Sequence, residues 1–271
     1  MKFFERDGVK LCYEDEGSGD PPLVLIHGWT CNSTYMAPQV DHFQREHRVV
    51  ALDLRGHGQS GKPEQDYDIG VYADDTVALI DNLGLKEPVI IGHSMGGLVA
   101  LDIGARYPDI PSAIVMLDSP VLLREELRPL LGQLVEAFRG PGYAEAQRNF
   151  VESFLFIPSD DPELKRRTLD GMSSSPQRVM ADSFASLGSF ESAAAAAACK
   201  VPALYIDDEA DTADLKRLKE LCPQLLTGKT VGAGHFHQLL VPEQVNAMIE
   251  RFLELVKSGQ AGVPKPVAVT A

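Results

Sequence analysis

Several features that mark whole classes of protein are missing from this sequence. The four cysteines, Cys12, Cys31, Cys199 and Cys222, are widely separated and form no Cys-x-x-Cys pair. We therefore expect free thiols in a reducing compartment, with neither a disulfide framework nor a zinc site. His-Glu-x-x-His and a Walker phosphate loop are also absent. These motifs would indicate a metal or a bound phosphate, so we expect no metal and no cofactor.

Positive charge and long apolar runs are also scarce. Lysine and arginine total 25 against 39 aspartates and glutamates, which gives a net charge of −14. Nucleic acids and anionic membranes need a basic surface, so we expect neither as a partner. No apolar run reaches the length of a membrane span, and the first seven residues contain no signal-peptide core. We expect a cytoplasmic protein that does not bind membranes.

The stretch over residues 89–97, Val-Ile-Ile-Gly-His-Ser-Met-Gly-Gly, is the most informative one in the chain. A buried strand leads into Gly-x-Ser-x-Gly, and residues 98–107 have the pattern of a helix. A serine on such a strand-to-helix turn projects its Oγ above the sheet, near the positive end of the helix. We therefore predict Ser94 as a nucleophile. The alternative is an exposed serine in a glycine-rich turn.

Short apolar runs alternate with helical patterns through the first 120 residues. The predicted strands cover residues 2–6, 9–15, 23–26, 48–54 and 113–117, besides the one at 89, and the predicted helices cover 36–47, 71–83 and 98–107. The first two strands form a hairpin around Asp7-Gly8. The alternation predicts an α/β fold with a mostly parallel sheet and helices on both faces. Reactive groups should then gather at the carboxyl ends of the strands.

The alternation stops at Val121, and the pattern is helical to about residue 198. Leucines recur there at intervals of three and four residues, and Pro129 must begin or kink a helix. Strands resume at 201–206 and 226–231, followed by a closing helix over 244–257. We predict a core of residues 1–120 and 199–257, an inserted helical cap or lid at 121–198, and a loose tail at 258–271.

A serine nucleophile needs a base, and the base needs an orienting carboxylate. In its motifs for these groups, the chain resembles the α/β-hydrolase superfamily. The motifs that carry the resemblance are His27-Gly28-Trp29, Asp53 to Ser60 (Asp-Leu-Arg-Gly-His-Gly-Gln-Ser), Gly92 to Gly97, Asp211 and Gly234-His235. The resemblance implies an eight-stranded, mostly parallel sheet with a helical cap. It also implies His235 as the base, Asp211 as the acid, and the backbone N–H groups of Trp29 and Met95 as the oxyanion hole.

The identity of the acid stays open at this point. Asp211 follows the predicted strand at 201–206, but the family commonly has glycine where Asp208 stands, and several neighbouring residues are acidic. A solvated acidic loop is therefore one alternative. Asp118, after the strand at 113–117, is another, because some relatives carry the acid there.

The nucleophile limits the reaction class. Epoxide hydrolases and haloalkane dehalogenases of this fold use aspartate at the turn, so a serine excludes them. We expect hydrolysis of a small or medium carboxylic ester or lactone through an acyl-enzyme. Alternatives are a C–C bond hydrolase or a cofactor-free perhydrolase with the same triad, or a ligand receptor without catalysis. The apolar residues of the cap can line an acyl pocket or form the core of the cap. The sequence does not indicate an oligomeric state.

Overall fold

One mixed sheet organises the chain. The structure is a computed structural model, and it describes residues 1–65, 67–210 and 212–262. Its strands, β1 to β8, are Lys2–Arg6, Val9–Glu16, Leu23–Ile26, Val49–Leu52, Val89–His93, Ala113–Leu117, Ala203–Asp207 and Leu225–Lys229. They form an eight-stranded sheet in the order β1-β2-β4-β3-β5-β6-β7-β8. The pairings of β1 with β2 and of β2 with β4 are antiparallel, and all the others are parallel. The predicted mostly parallel sheet is confirmed.

The helices lie mostly between these strands. In the described part of the chain, α1 to α11 are Ala37–Phe43, Ile69–Leu83, Met95–Arg106, Arg128–Arg139, Tyr143–Phe154, Pro162–Met172, Gln177–Ser189, Ser192–Ala198, Leu215–Leu221, His237–Leu240 and Pro242–Lys257. The helix predicted over 36–47 ends at Phe43. The helix predicted from Val71 begins at Ile69, because the Asp68 carboxylate accepts the Val71 N–H and caps the helix there. The sequence pattern does not predict the short helix α10.

Both faces of the parallel strands are buried. Successive side chains of a strand point to opposite faces. In β3, Val24 and Ile26 pack into one hydrophobic cluster, whereas Leu23 and Leu25 pack into the other. The continuous apolar run of β3 therefore serves two cores at once, as a parallel strand covered on both sides requires.

The carboxyl ends of β5, β6 and β7 lie side by side. His93 at the end of β5 pairs with Leu117 at the end of β6. The next residue of each strand continues this register, since Ser94 N–H donates to the Leu117 carbonyl and Asp118 N–H donates to the Ile206 carbonyl, both at 2.8 Å. The sheet thus brings Ser94 and Asp118 to one edge.

Five helices, α4 to α8, lie between β6 and β7. They fall within residues 121–198, which we call the cap segment. Pro129 stands in the first turn of α4, so it begins that helix rather than kinking it. At the other end of the chain, the expected tail at 258–271 lies partly outside the described residues, which end at 262.

Candidate active site

Ser94 occupies a strained turn between β5 and α3. Its φ is 53° and its ψ is −119°, and a non-glycine residue in such a conformation costs about 1–3 kcal/mol. The surrounding backbone is close, because a Cβ on Gly96 would lie 2.7 Å from the carbonyl oxygen of His27. Ser94 lines a cavity, so its hydroxyl lies where a substrate can bind. The strand, the serine and the helix have the arrangement that the sequence predicts.

His235 lies beside Asp118 at the same edge of the sheet. Its Nδ1–H donates a hydrogen bond to Oδ2 of Asp118. Asp118 is 4% exposed and has a φ of 38°, so it is a second strained residue at the site. A neutral imidazole carries one proton, so this hydrogen bond leaves the lone pair on Nε2. His235 therefore has the tautomer that a base needs.

The surroundings of His235 favour its protonated form. Burial lowers the pKa of the imidazole, but the charge of Asp118, its hydrogen bond and the charge of Asp208 together raise that pKa above its usual value. An imidazolium formed during a reaction would therefore be stabilised in place. No hydrogen bond joins Ser94 to His235 among the described residues; such bonds are often long until substrate binds.

Among the described residues, the carboxylate that bonds His235 is that of Asp118. Asp211 lies outside the described residues. The carboxylate that the structure brings to His235 is Asp118, the alternative after the preceding strand. The pairing of β5 with β6 explains this placement, because Asp118 directly follows the strand next to the one that carries Ser94. The sequence signal is an aspartate immediately after a buried strand, in Asp118-Ser119-Pro120.

Two backbone N–H groups are available next to Ser94. Met95 is the first residue of α3, so its N–H has no acceptor within the helix. The N–H of Trp29 has no backbone acceptor among the described residues. Gly28 brings this loop close, since a Cβ there would lie 3.1 Å from Cβ of Ser94. Trp29, Ser94 and His235 line the same cavity.

The side chain of Trp29 links the sheet to the cap segment. Its Nε1–H donates to the carbonyl of Met180 at 2.9 Å. Its ring stacks on Phe138, with centroids 5.2 Å apart, and packs against Phe184 at 5.0 Å. The indole therefore forms part of the cavity wall.

Four other histidines near the site are held in structural hydrogen bonds. His27 accepts the N–H of Leu54 and donates to the carbonyl of Gly28. His57 bonds the carbonyl of Arg55, His93 donates to the carbonyl of His235 at 2.9 Å, and His237 bonds the Thr230 hydroxyl. Burial lowers the pKa of each of these four imidazoles. They hold the loops at the carboxyl ends of β3, β4, β5 and β8, and His93 bonds the backbone of His235 itself.

Three buried carboxylates form the one cluster of possible metal ligands in the described part of the chain. Oxygens of Asp118, Asp207 and Asp208 lie within 4.8 Å of one another. Asp118 already accepts the hydrogen bond from His235, and Asp208 accepts the N–H of Ala210 at 2.8 Å. We assign this cluster to holding the imidazole and the turn after β7.

Within the described residues, no helix combines the length and the apolar character needed to cross a membrane.

Comparison with known proteins places the fold. A model of the alpha/beta hydrolase fold family matches residues 21–242. The chain belongs to this family. Among solved structures of the alpha/beta hydrolase fold, it is similar to the enol-lactonase of Burkholderia xenovorans LB400, with a TM-score of 0.84, 23% identity, and coverage of 93% of this chain and 100% of that one. This likeness shows the shared fold.

Two further members are similar in sequence. A thermophilic esterase from Thermogutta terrifontis is 25% identical, with a TM-score of 0.80 and coverage of 94% of this chain and 97% of that one. A bifunctional esterase/perhydrolase of Acinetobacter calcoaceticus is 39% identical over 129 residues, or 46% of this chain and 47% of that protein. The match covers about half the length of the Acinetobacter protein, and the match to a second hydrolase covers a similar share of that protein.

Proposed function

We propose that this alpha/beta hydrolase cleaves a small or medium carboxylic ester or lactone through an acyl-enzyme on Ser94. The observation that carries the proposal is the hydrogen bond between His235 and the buried Asp118, since both residues line the same cavity as the strained Ser94. Strained residues and a charge-paired imidazole that converge on one cavity are typical of an active site.

In the first step, Nε2 of His235 takes the proton of Ser94 as Oγ attacks the substrate carbonyl. Asp118 holds the imidazole in the required tautomer and stabilises the imidazolium. The backbone N–H groups of Trp29 and Met95 donate to the oxyanion of the tetrahedral intermediate. The orphan N–H at the start of α3 supports this role for Met95.

In the second step, the intermediate collapses and Nε2–H of His235 protonates the departing alkoxide. The acyl group is now bonded to Oγ of Ser94. A water molecule, deprotonated by His235, attacks the acyl carbon, and Ser94 leaves with the proton. The products are a carboxylic acid and an alcohol, or one hydroxy acid from a lactone.

A second candidate is perhydrolysis, in which hydrogen peroxide replaces water in the last step and yields a peracid. The name of the Acinetobacter calcoaceticus relative, an esterase/perhydrolase, favours it. Both reactions use the same acyl-enzyme, so the residues and their roles are unchanged.

The test is turnover of p-nitrophenyl esters by the purified chain and by Ser94→Ala. We expect the wild-type protein to release p-nitrophenol and the variant to lose several orders of magnitude in kcat, up to about 10⁶-fold, with its fold intact. Equal activity of the two proteins would refute the proposal. Adding hydrogen peroxide and measuring peracid decides between hydrolysis and perhydrolysis.

A further inference from the structure

The cavity at Ser94 has a defined size and an apolar wall. Its volume is about 150 Å³. Beyond the nucleophile, the wall consists largely of Trp29 and of cap-segment residues such as Leu127, Leu131, Phe150 and Phe184. We call this part the acyl pocket. An apolar cavity of about 150 Å³ lined by leucine, isoleucine and phenylalanine is large enough to bind benzene.

Apart from His93 and His235, the ionisable carboxylate and basic side chains among the described lining residues are all acidic. None of the described residues that line the cavity is lysine or arginine, and its acidic lining residues are Asp118 and Asp208. Both carboxylates are buried. A substrate with a carboxylate on its acyl group would lose its hydration on entry and meet charges of its own sign. It would find no lysine or arginine to pair with among the described lining residues, and His235 is neutral in the form that accepts the Ser94 proton. The pocket therefore disfavours anionic acyl groups.

We infer that the substrate carries an uncharged, apolar acyl group about the size of one benzene ring, such as a benzoyl or a six-carbon chain. This inference rests on the proposed function, because the acyl group is defined by the attack of Ser94. It is the walls and the charges of the acyl pocket, rather than the triad, that select this group.

Two p-nitrophenyl esters of equal length test the charge selectivity. The hexanoate ester and the adipate monoester differ only in a terminal methyl or carboxylate group. We expect kcat/KM for the hexanoate to exceed that for the adipate monoester by about 100-fold or more, since the carboxylate must be desolvated without a partner. In the uncharged series, kcat/KM should be higher for the hexanoate and benzoate esters than for the acetate and decanoate esters. Comparable rates for the hexanoate and the adipate monoester would overturn the inference and leave the proposed hydrolysis standing.

A variant that adds a cation provides an independent check. Leu131→Arg places a guanidinium on the wall of the acyl pocket, whereas Gln133→Arg adds the same charge to the exposed side of α4. We expect Leu131→Arg to shift the ratio of the two rates toward the adipate monoester by about tenfold or more, and Gln133→Arg to leave the ratio unchanged. An equal shift in both variants would contradict selection by the pocket. Absence of hydrolysis of every ester by the wild type would instead refute the proposed function.

A different set of contacts holds the loop that carries His235. Asp160, between α5 and α6 of the cap segment, is 8% exposed. Its Oδ1 accepts the N–H of Gly234 at 3.0 Å, and its Oδ2 accepts the N–H of Ile157 at 2.8 Å. The contact is tight, because a Cβ on Gly234 would lie 2.7 Å from Oδ2 of Asp160. A cap carboxylate thus bonds the residue before His235.

The residue after His235 is held by the same part of the cap segment. The ring of Phe236 stacks on that of Phe156, with centroids 5.2 Å apart and an angle of 29° between the planes. The backbone is therefore fixed on both sides of the imidazole. The buried carboxylate of Asp160 is stabilised by the N–H groups of Gly234 and Ile157, which both donate to it.

We propose that Asp160 is a positioning residue that keeps His235 in hydrogen-bonding register with Asp118. Among the described residues, the charged and titratable groups that interact with His235 are Asp118, Asp208, His93 and His237, and Asp207 lies in the same carboxylate cluster as Asp118. Of these groups, Asp118, through its charge and its hydrogen bond, and Asp208, through its charge, raise the pKa of the imidazole. A looser loop would weaken the Asp118 contact, so the pKa of His235 would fall. Like the substrate inference, this one rests on the proposed function.

Asp160→Asn and Asp161→Asn form a matched pair. The first replaces one of the two acceptor oxygens by a donor. The second makes the same change at the neighbouring exposed cap of α6, where the Asp161 carboxylate accepts the N–H of Leu164. We expect Asp160→Asn to lower kcat about 10- to 100-fold, with KM little changed, and to move the acidic limb of the pH–rate profile to lower pH. Asp161→Asn should match the wild type in both respects.

Rates are expressed per active site, counted with a fluorophosphonate that labels the reactive serine. If Asp160→Asn only reduces the number of sites and keeps the wild-type kcat per site and pH profile, Asp160 is merely structural and the proposal is overturned. A wild-type chain without ester hydrolysis or labelling would refute the proposed function instead.

Discussion

Asp118 and His235 are 117 positions apart in the chain, yet Oδ2 of Asp118 accepts the hydrogen bond from Nδ1 of His235. Asp118 directly follows β6, and β6 pairs with the strand that leads into Ser94. The acid and the nucleophile therefore extend from adjacent strands, and His235 lines the same cavity as both.

The first prediction concerns the acid. Asp118→Asn keeps the shape of the side chain but removes the charge that orients His235, so kcat should fall about 10³- to 10⁴-fold. Asp208→Asn, which removes only a nearby charge, should lower kcat by less than about tenfold. Asp211→Asn completes the comparison, since the family resemblance implies that residue. If Asp211→Asn instead lost most of its kcat and Asp118→Asn kept a nearly normal kcat, the acid would be the one after β7.

The second prediction concerns pH. His235 must be neutral to accept the Ser94 proton, so activity falls as pH drops through its pKa. Burial lowers that pKa, but Asp118 and Asp208 raise it above its usual value. The acidic limb of kcat/KM should therefore have its midpoint above the ordinary value of about 6.5. In Asp118→Asn the midpoint should move to lower pH. A flat rate from pH 5 to 8 for the folded wild type contradicts the role of His235.

The third prediction concerns the oxyanion hole, whose backbone N–H donors can be removed only by substitution with proline, which would also fix the φ angle. Gly28→Ala adds a Cβ that would lie 3.0 Å from Nδ1 of His93 and 3.1 Å from Cβ of Ser94. The loop must shift by a few tenths of an ångström and carry the N–H of Trp29 with it. We expect kcat to fall about 10- to 100-fold, less than the loss of a whole donor. Gly132→Ala is the control, because nothing lies within 4 Å of its added Cβ. Equal kcat values for both variants would exclude Trp29 as a donor.

The fourth prediction concerns stability away from the cavity. Asp75 is fully buried and bonds Arg55 through both of its oxygens at 2.6 Å, and Arg6 at 2.7 Å. Asp75→Asn leaves the buried guanidinium of Arg55 uncompensated and should lower the free energy of unfolding by about 3–5 kcal/mol. Glu254→Gln, in the exposed pair with Arg251, should cost less than about 1 kcal/mol. Urea denaturation measures both. Similar losses in the free energy of unfolding for the two variants would contradict the larger effect expected for the buried pair.

Much of this fold is predictable because its signals are local. The apolar run at Leu23–Ile26 and the Gly-x-Ser-x-Gly turn each depend on residues that are adjacent in the chain. The strand and helix on either side of Ser94 are confirmed for this reason. Periodicity also indicates the helices of the cap segment.

The contacts around His235 are less predictable because they join distant parts of the chain. The sequence shows aspartates after both β6 and β7, and no local pattern tells which one bonds the imidazole. The backbone strain at Asp118, with its φ of 38°, becomes visible only in the structure. Asp160 has no local signal for its contact with Gly234, 74 positions away. Tertiary packing determines both contacts.

Covalent capture of the nucleophile tests the account most directly. The chain is treated with a fluorophosphonate, and its peptides are mapped by mass spectrometry while residual ester hydrolysis is followed. We expect one phosphonyl group on the peptide that contains Ser94, loss of activity in proportion to labelling, no adduct on Ser94→Ala and slower labelling of Asp118→Asn. Full ester hydrolysis by a chain that stays unlabelled at Ser94, or labelling of another residue in step with the loss of activity, would contradict the account.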